Sequence, residues 1–230
     1  MYPKICSIGP FTIHSYGVLI AIGVFLSIFL MGRLARRLGF SPAGQIFDLV
    51  FIIVLSGFVG ARIFYIIQEW GWYRNHPFEI IQIWKGGLVY YGGMVASFLV
   101  FFIYVRLKGL PFLKSADFMM PFIALTHAFG RVGCFLNGCC FGKDHHPAQL
   151  YEAAFNLGLF LILIRTFARR QFDGQIVALY LMFYAVGRFV IEFFRGDQLP
   201  WLGPFTFHQI LSFIFLITGA AVYGICRKRN

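Results

Sequence analysis

Charge is what this sequence has least of. Asp, Glu, Lys and Arg make up 13 % of its 230 residues, and only nine are acidic. An ordinary soluble domain carries about twice that charged fraction. So few ionic groups cannot coat a water-exposed surface, and a soluble globular fold is excluded. No Ser- or Pro-rich linker divides the chain, no internal repeat stands out, and no Cys-x2-Cys knuckle occurs. A string of modules, a repeat array and a zinc finger are thereby disfavoured. The opening Met1-Tyr2-Pro3-Lys4-Ile5-Cys6 lacks the basic start, apolar stretch and small-residue cleavage site of a secretory leader. No cleavable signal is expected, and the first apolar segment should remain as an anchor.

What is present is apolar: 59 % of residues are hydrophobic and thirty are Phe. Runs approaching the ~20 apolar residues needed to cross a bilayer recur along the chain. The expected spans are Tyr16–Met31, Ile46–Gln68, Leu88–Val105, Phe118–Leu136, Leu150–Ile164, Gln175–Phe194 and Phe205–Ile225. His127 and Arg131 interrupt the fourth, which is read as partly re-entrant or broken. The expected fold is therefore all-α, a polytopic bundle of about seven transmembrane helices forming one domain over residues 1–230. Arg33, Arg36 and Arg37, then Arg106, Lys108 and Lys114, then Arg165, Arg169 and Arg170, and finally Arg227, Lys228 and Arg229 fall on one face. Only Lys4, Arg74, Lys85 and Lys143 fall on the other. Cytoplasmic loops carry the excess of Lys and Arg, so the N-terminus is expected outside and the C-terminus in the cytoplasm. The same distribution explains the net charge of +11 without nucleic acid: the cations are short clusters at helix ends, with no aromatic platform between them.

Against this apolar background four segments carry polar groups at helical spacing. Tyr184, Arg188, Glu192 and Arg195 stand at i, i+4, i+8 and i+11, so one helix face presents all four. Gln149, Glu152 and Asn156 share a face of the fifth span, and His127, Arg131 and Cys134 share one of the fourth. Arg62 follows Gly60-Ala61 in the second span. A single Arg–Glu pair can be glue between helices, but several inserted arginines at about 3 kcal/mol each are too costly without a shared polar cavity. At least three arginines face one or two carboxylates, so that cavity is expected to be net positive. The guanidinium fork suits phosphate oxygens, and a phospholipid head group is the anion found at this depth. The pairs Gly86-Gly87 and Gly92-Gly93 suit close approach of either a ligand or a neighbouring helix.

Cys134, Cys139 and Cys140 precede His145 and His146 in the pattern Cys-x4-Cys-Cys-x4-His-His. Thiolates and imidazoles can bind zinc, two thiols can form a disulfide, and cysteines can also serve as small apolar fillers. The spacing leaves these readings open. Cys6 and Cys226 are expected on opposite membrane faces and cannot pair.

Assembled, these residues resemble the bacterial prolipoprotein diacylglyceryl transferases, almost from end to end. His14-Ser15-Tyr16-Gly17 resembles that family's opening His-x-Tyr-Gly. Gly60-Ala61-Arg62 fits its Gly-Gly-Arg, and Trp84-Lys85-Gly86-Gly87-Leu88 its Trp-x-Gly-Gly-Leu/Met. Gly130-Arg131-Val132-Gly133 with Phe135-Leu136-Asn137-Gly138 and Gly142 is similar to its signature Gly-Arg-x-Gly-Asn-Phe-x-Asn-Gly-Glu-x-x-Gly. His146-Pro147-Ala148-Gln149-Leu150-Tyr151-Glu152 is similar to its His-Pro-Ser-Gln-Leu-Tyr-Glu. Tyr184 to Arg195 fits its Tyr-x-x-x-Arg-x-x-x-Glu-Phe-Phe-Arg.

The resemblance implies a bacterial inner-membrane enzyme that moves the diacylglyceryl group of phosphatidylglycerol onto the lipobox cysteine of a prolipoprotein signal peptide, releasing glycerol phosphate. It implies catalytic roles for Arg131, Arg188, Tyr184, Glu192 and Tyr91. Head-group binding falls to Arg131, Arg188, Arg195, Tyr16, Arg62 and Asn137, and a supporting polar face to Gln149, Glu152 and His146. Phosphatidylglycerol, the signal peptide and membrane lipids are the implied partners. No metal or cofactor is required, and no nucleic acid is expected. Three positions depart from the family pattern: Tyr91 replaces a His, Cys134 an Asn and Cys139 a Glu. With the His absent, His127, His14 or no dedicated side chain would take the thiol proton. Two other readings keep the fold and change the chemistry: a different acceptor or a thiol-redox role for Cys134, Cys139 and Cys140, or lipid binding without catalysis.

Overall fold

A computed structural model describes residues 4–8, 11–38, 43–82, 86–143, 146–197 and 199–229. Trp84 and Lys85 of the glycine-rich motif, and His145 of the Cys/His pattern, lie outside the described residues. The chain is helical with little sheet. Its helices are α1 (Ser15–Leu38), α2 (Ala43–Gln68), the short α3 (Trp70–Tyr73), α4 (Tyr90–Leu107), α5 (Phe112–Asn137), α6 (Ala148–Phe167), α7 (Gln175–Glu192) and α8 (Phe207–Lys228). Seven of them, all but α3, are long and apolar enough to cross a membrane. Two small antiparallel hairpins were not foreseen. One pairs β1 (Lys4–Ile8) with β2 (Phe11–His14), and the other β3 (Pro200–Leu202) with β4 (Phe205–Thr206).

The distribution of side chains inverts that of a soluble protein. Phe25, Phe51, Phe98 and Ile217 are more than half exposed, whereas Arg62, Asp117, Glu152, Asn156, Arg188 and Glu192 are buried. Apolar side chains turned outward and ionic ones turned inward suit a hydrocarbon surround, where charge is tolerated only in the protein interior. The fourth span is one continuous helix despite Pro121, His127 and Arg131. The polar residues lower its hydropathy without breaking it.

The chain sorts into two compact units, residues 1–27 with 113–230 and residues 28–112. In the second unit α2 and α4 pack closely. A Cβ on Gly60 would strike Ala96 and the Gly92 carbonyl, and one on Gly93 would come within 2.8 Å of the Gly57 carbonyl. Small residues let two membrane helices touch backbone to backbone, which accounts for Gly92-Gly93. In the first unit α7 packs against α6 and α8. A side chain on Gly187 would enter the ring of Phe155. α7 starts where the Asp117 carboxylate, on α5, accepts hydrogen bonds from the amides of Gly174 (2.7 Å) and Val177 (2.9 Å). These amides lack carbonyl partners in the first helical turn, so a fully buried Asp from another helix serves as the cap.

Candidate functional site

In the first unit α5, α6 and α7 each send one charged side chain to a common point. Glu152 of α6 lies between two arginines: its Oε1 is 3.1 Å from Arg131 Nε, and its Oε2 is 3.7 Å from Arg188 Nη1. Arg188 Nη2 is 2.9 Å from Glu192 Oε2, one turn on along α7. Glu192 Oε2 is in turn 3.9 Å from Arg195 Nε. Arg195 closes the series with a two-pronged pair to Asp197, at 2.9 and 2.6 Å. The result is one connected chain of charge: Arg131, Glu152, Arg188, Glu192, Arg195, Asp197.

Side chains around the series hold it in place. His127 Nε2 accepts from Arg131 Nε at 3.3 Å, which places the proton of a neutral ring on Nδ1. Its ring lies 5.6 Å from that of Tyr184, which is stacked on Tyr180. Thr206 donates its hydroxyl to Glu192 Oε1 at 2.7 Å, and His208 Nδ1 lies 3.6 Å from the same oxygen. Asn156 Nδ2 donates to the Glu152 carbonyl. Tyr16 packs on α5 at Gly133, where a Cβ would stand 3.0 Å from its ring.

Two nitrogens stand out. Arg188 is 4 % exposed, yet neither Nη1 nor Nη2 makes an aligned hydrogen bond with a described residue, and Glu152 Oε1 and Glu192 Oε2 likewise lack one. Attraction without hydrogen-bond alignment leaves strong donors in a buried place, where an anion accepting from them would be held firmly.

The loop after α5 is stitched to the end of α7. Gly142 bridges to Arg195, Lys143 N donates to the Phe194 carbonyl at 2.9 Å, and Gly196 N donates to the Phe141 carbonyl. Gln149 is buried and donates to the Cys139 carbonyl at 2.8 Å. His146 is exposed, with Nδ1 3.1 Å from the Tyr151 hydroxyl and its ring against Phe194. Asn137 is exposed at the last position of α5. Outside the spans, the Cys140 thiol is pushed down to about 5, first by a hydrogen bond from Cys134, with Arg131 and Arg195 adding to it. Burial opposes the charge on Arg195, but Asp197 outweighs it and raises that group further.

Arg62 and Tyr91 belong to the second unit. Arg62 Nε donates to the Ile80 carbonyl (2.9 Å), Nη1 to those of Gly86 (2.7 Å) and Gly87 (3.2 Å), and Nη2 to that of Glu79 (2.7 Å). The guanidinium also lies near the Tyr65 and Tyr73 rings. All three of its nitrogens are thus engaged by the segment before α4. Tyr91, in the first turn of α4, sets its ring edge-on to Tyr90.

The charge balance differs from the expected excess of cations. Asp197, which the sequence reading passed over, makes three carboxylates against three arginines. Its only signal is the Arg195-Gly196-Asp197 spacing, which is short enough for a turn to bring the two side chains together. Thr206 and His208 were also missed, because nothing in a sequence ties the start of α8 to the end of α7.

Fold and site together define the class: a multi-pass α-helical membrane protein with an ionic network gathered inside it. The chain belongs to the prolipoprotein diacylglyceryl transferase family, whose model matches residues 3–225. It is 33 % identical over 253 residues to the phosphatidylglycerol–prolipoprotein diacylglyceryl transferase of Streptococcus uberis, covering 99 % of this chain and 96 % of that one. The enzyme of that name from Thermosynechococcus vestitus is 34 % identical over 245 residues, 96 % of this chain and 90 % of the relative. That from Finegoldia magna is 35 % identical over 218 residues, 89 % and 87 % respectively.

Proposed function

We infer that this chain transfers the diacylglyceryl group of phosphatidylglycerol to the lipobox cysteine thiol of a prolipoprotein signal peptide, the first step of lipoprotein maturation. The reaction forms a thioether C–S bond and breaks the glyceryl C–O bond next to phosphorus. The leaving group is glycerol phosphate, and the thiol proton passes to a base. The cost of the step is negative charge growing on the phosphate, so donors aimed at those oxygens lower the barrier. The observation that carries this reading is Arg188: buried, flanked by Glu152 and Glu192, with both terminal nitrogens lacking an aligned hydrogen bond.

In this reading Arg188 and Arg131 clamp the phosphate, with Arg195 beside them. Glu152 and Glu192 hold the guanidinium planes, and Tyr184 and Tyr16 contact the head group. Gln149 and His146 support the loop after α5, and Asn137 meets the head group from the end of α5. His127 acts through Arg131, because its Nε2 lone pair is already engaged there. Tyr91 offers a hydroxyl to the incoming thiol. Arg62, its nitrogens engaged by carbonyls, serves by shaping the segment that leads into α4. The protein sits in the bacterial inner membrane, N-terminus outside, so that a signal peptide meets it at the outer face.

Complementation tests the reading. In a strain depleted of its own transferase, the wild-type chain should restore lipid labelling of a model lipoprotein. Arg188→Ala and Arg131→Ala should reduce labelling by about 10²-fold or more, the scale of losing one oxyanion donor, while membrane insertion is kept. Normal labelling by Arg188→Ala overturns the clamp. Failure of the wild-type chain to label any acceptor overturns the transferase reading.

A further inference from the structure

The end of α5 gathers three sulfurs that the transfer reaction does not use. The helix closes with Gly138 in the left-handed region (φ 78°). Gly138 N donates to the Phe135 carbonyl and Cys139 N to the Cys134 carbonyl, the paired bonds of a Schellman stop. That stop folds the chain back over its own last turn and brings Cys139 Sγ to 3.7 Å from the Cys134 carbonyl. Cys140 follows with φ 59°, the one positive value among the described non-glycine residues. A side chain in that conformation persists only where its surroundings impose it. The imposed geometry turns the third thiol back toward the first two. Gln149 fixes the loop by its bond to the Cys139 carbonyl, and the Gly142–Arg195 bridge anchors it two residues further on.

All three Sγ atoms lie within 4.8 Å of one another, the one such group of potential metal ligands among the described residues. None of the five cysteines is in a disulfide. Sulfurs around a zinc ion, with Zn–S about 2.3 Å, stand roughly 3.8 Å apart in a tetrahedron. Small rotations about the Cα–Cβ bonds close that difference. We propose that Cys134, Cys139 and Cys140 form a three-thiolate site for a thiophilic d10 cation, Zn2+ foremost, at the outer end of α5. A fourth position is left for water, as in open zinc sites. Binding one divalent cation to three thiols releases up to three protons to solvent and leaves one net negative charge. Arg131 and Arg195 are close enough to interact electrostatically with this cluster and would balance that charge. The proposal stands apart from the transferase reading, since it is read by binding alone.

The test is a Cd2+ titration of the full chain, purified in detergent, reduced and freed of metal. One equivalent should raise an ultraviolet thiolate-to-metal charge-transfer band, and Zn2+ should compete it away. Cys139→Ser and Cys140→Ser should each weaken binding by at least about tenfold, the scale seen when support of a metal site is lost. The double variant Cys6→Ser with Cys226→Ser should bind as the wild type does. Size-exclusion behaviour identifies any variant that fails to fold, and two independent serine variants keep one readable. Absence of the band, its persistence in both Cys139→Ser and Cys140→Ser, or its loss in the Cys6/Cys226 variant overturns the proposal.

Discussion

Arg62 and Arg188 are both buried arginines on apolar helices, yet they do opposite things. Arg62 is a clamp whose nitrogens all meet backbone carbonyls, and Arg188 is held by carboxylates with its donors unaligned. The substitution Arg62→Lys should therefore destabilise the second unit, because a single ammonium cannot span four carbonyls. We expect a loss of about 1–3 kcal/mol for the carbonyls left bare, read as faster proteolysis between residues 79 and 90 in detergent. Glu152→Gln should act on the first unit and on activity together. It removes the charge facing Arg131 and Arg188, and breaking a buried ion pair costs about 3–5 kcal/mol. A lowered midpoint of thermal unfolding with lost transfer is the expected outcome. From sequence, the two arginines could not be told apart. Helical spacing showed Arg188 beside Glu192, since that pair is one turn apart. The partners of Arg62 are carbonyls 17 to 25 residues away, and every residue type has a carbonyl.

At the scale of elements, the seven long helices were legible because each needs an apolar run, and a run is a local property. Their ends shifted: α1 runs past Met31 to Leu38, about two turns, and α8 past Ile225 to Lys228, about one, as basic last turns suit the helix C-terminus. The hairpins were not legible, since strands of two to five residues carry too little pattern. The Asp117 cap was hidden for another reason: its partners begin a helix 57 residues later. Asp117→Ala should leave two amides at the start of α7 unsatisfied and cost about 1–3 kcal/mol, measured by thermal unfolding in detergent. Gly187→Leu should separate α6 from α7 at Phe155. Overpacking of this kind costs about 1–3 kcal/mol, and because Arg188 is the next residue, transfer should fall more than stability does.

At the scale of the molecule, hydropathy determined the architecture and the placement of cations determined the proposed orientation. Cys6 and Cys226 stand near the two ends of the chain and report that orientation directly. With the other cysteines changed to serine, a membrane-impermeant maleimide applied to intact spheroplasts should label Cys6 and leave Cys226 untouched until the cells are opened. The reverse pattern would overturn the topology. The charge balance was the part least accessible to sequence. Asp197 lies in the connection between α7 and α8, outside any span, and its weight in the network depends on a turn rather than on helical spacing.

One hydroxyl joins the ionic network to the last helix. Thr206 accepts from the Gln209 amide as the N-cap of α8 and donates its single proton to Glu192. The one proton and one of the two lone pairs of that oxygen are committed, so the two bonds are coupled through it. A shift of Glu192 as an anion arrives or departs would thus tug on the first winding of α8. The start of that helix would keep time with the turnover cycle.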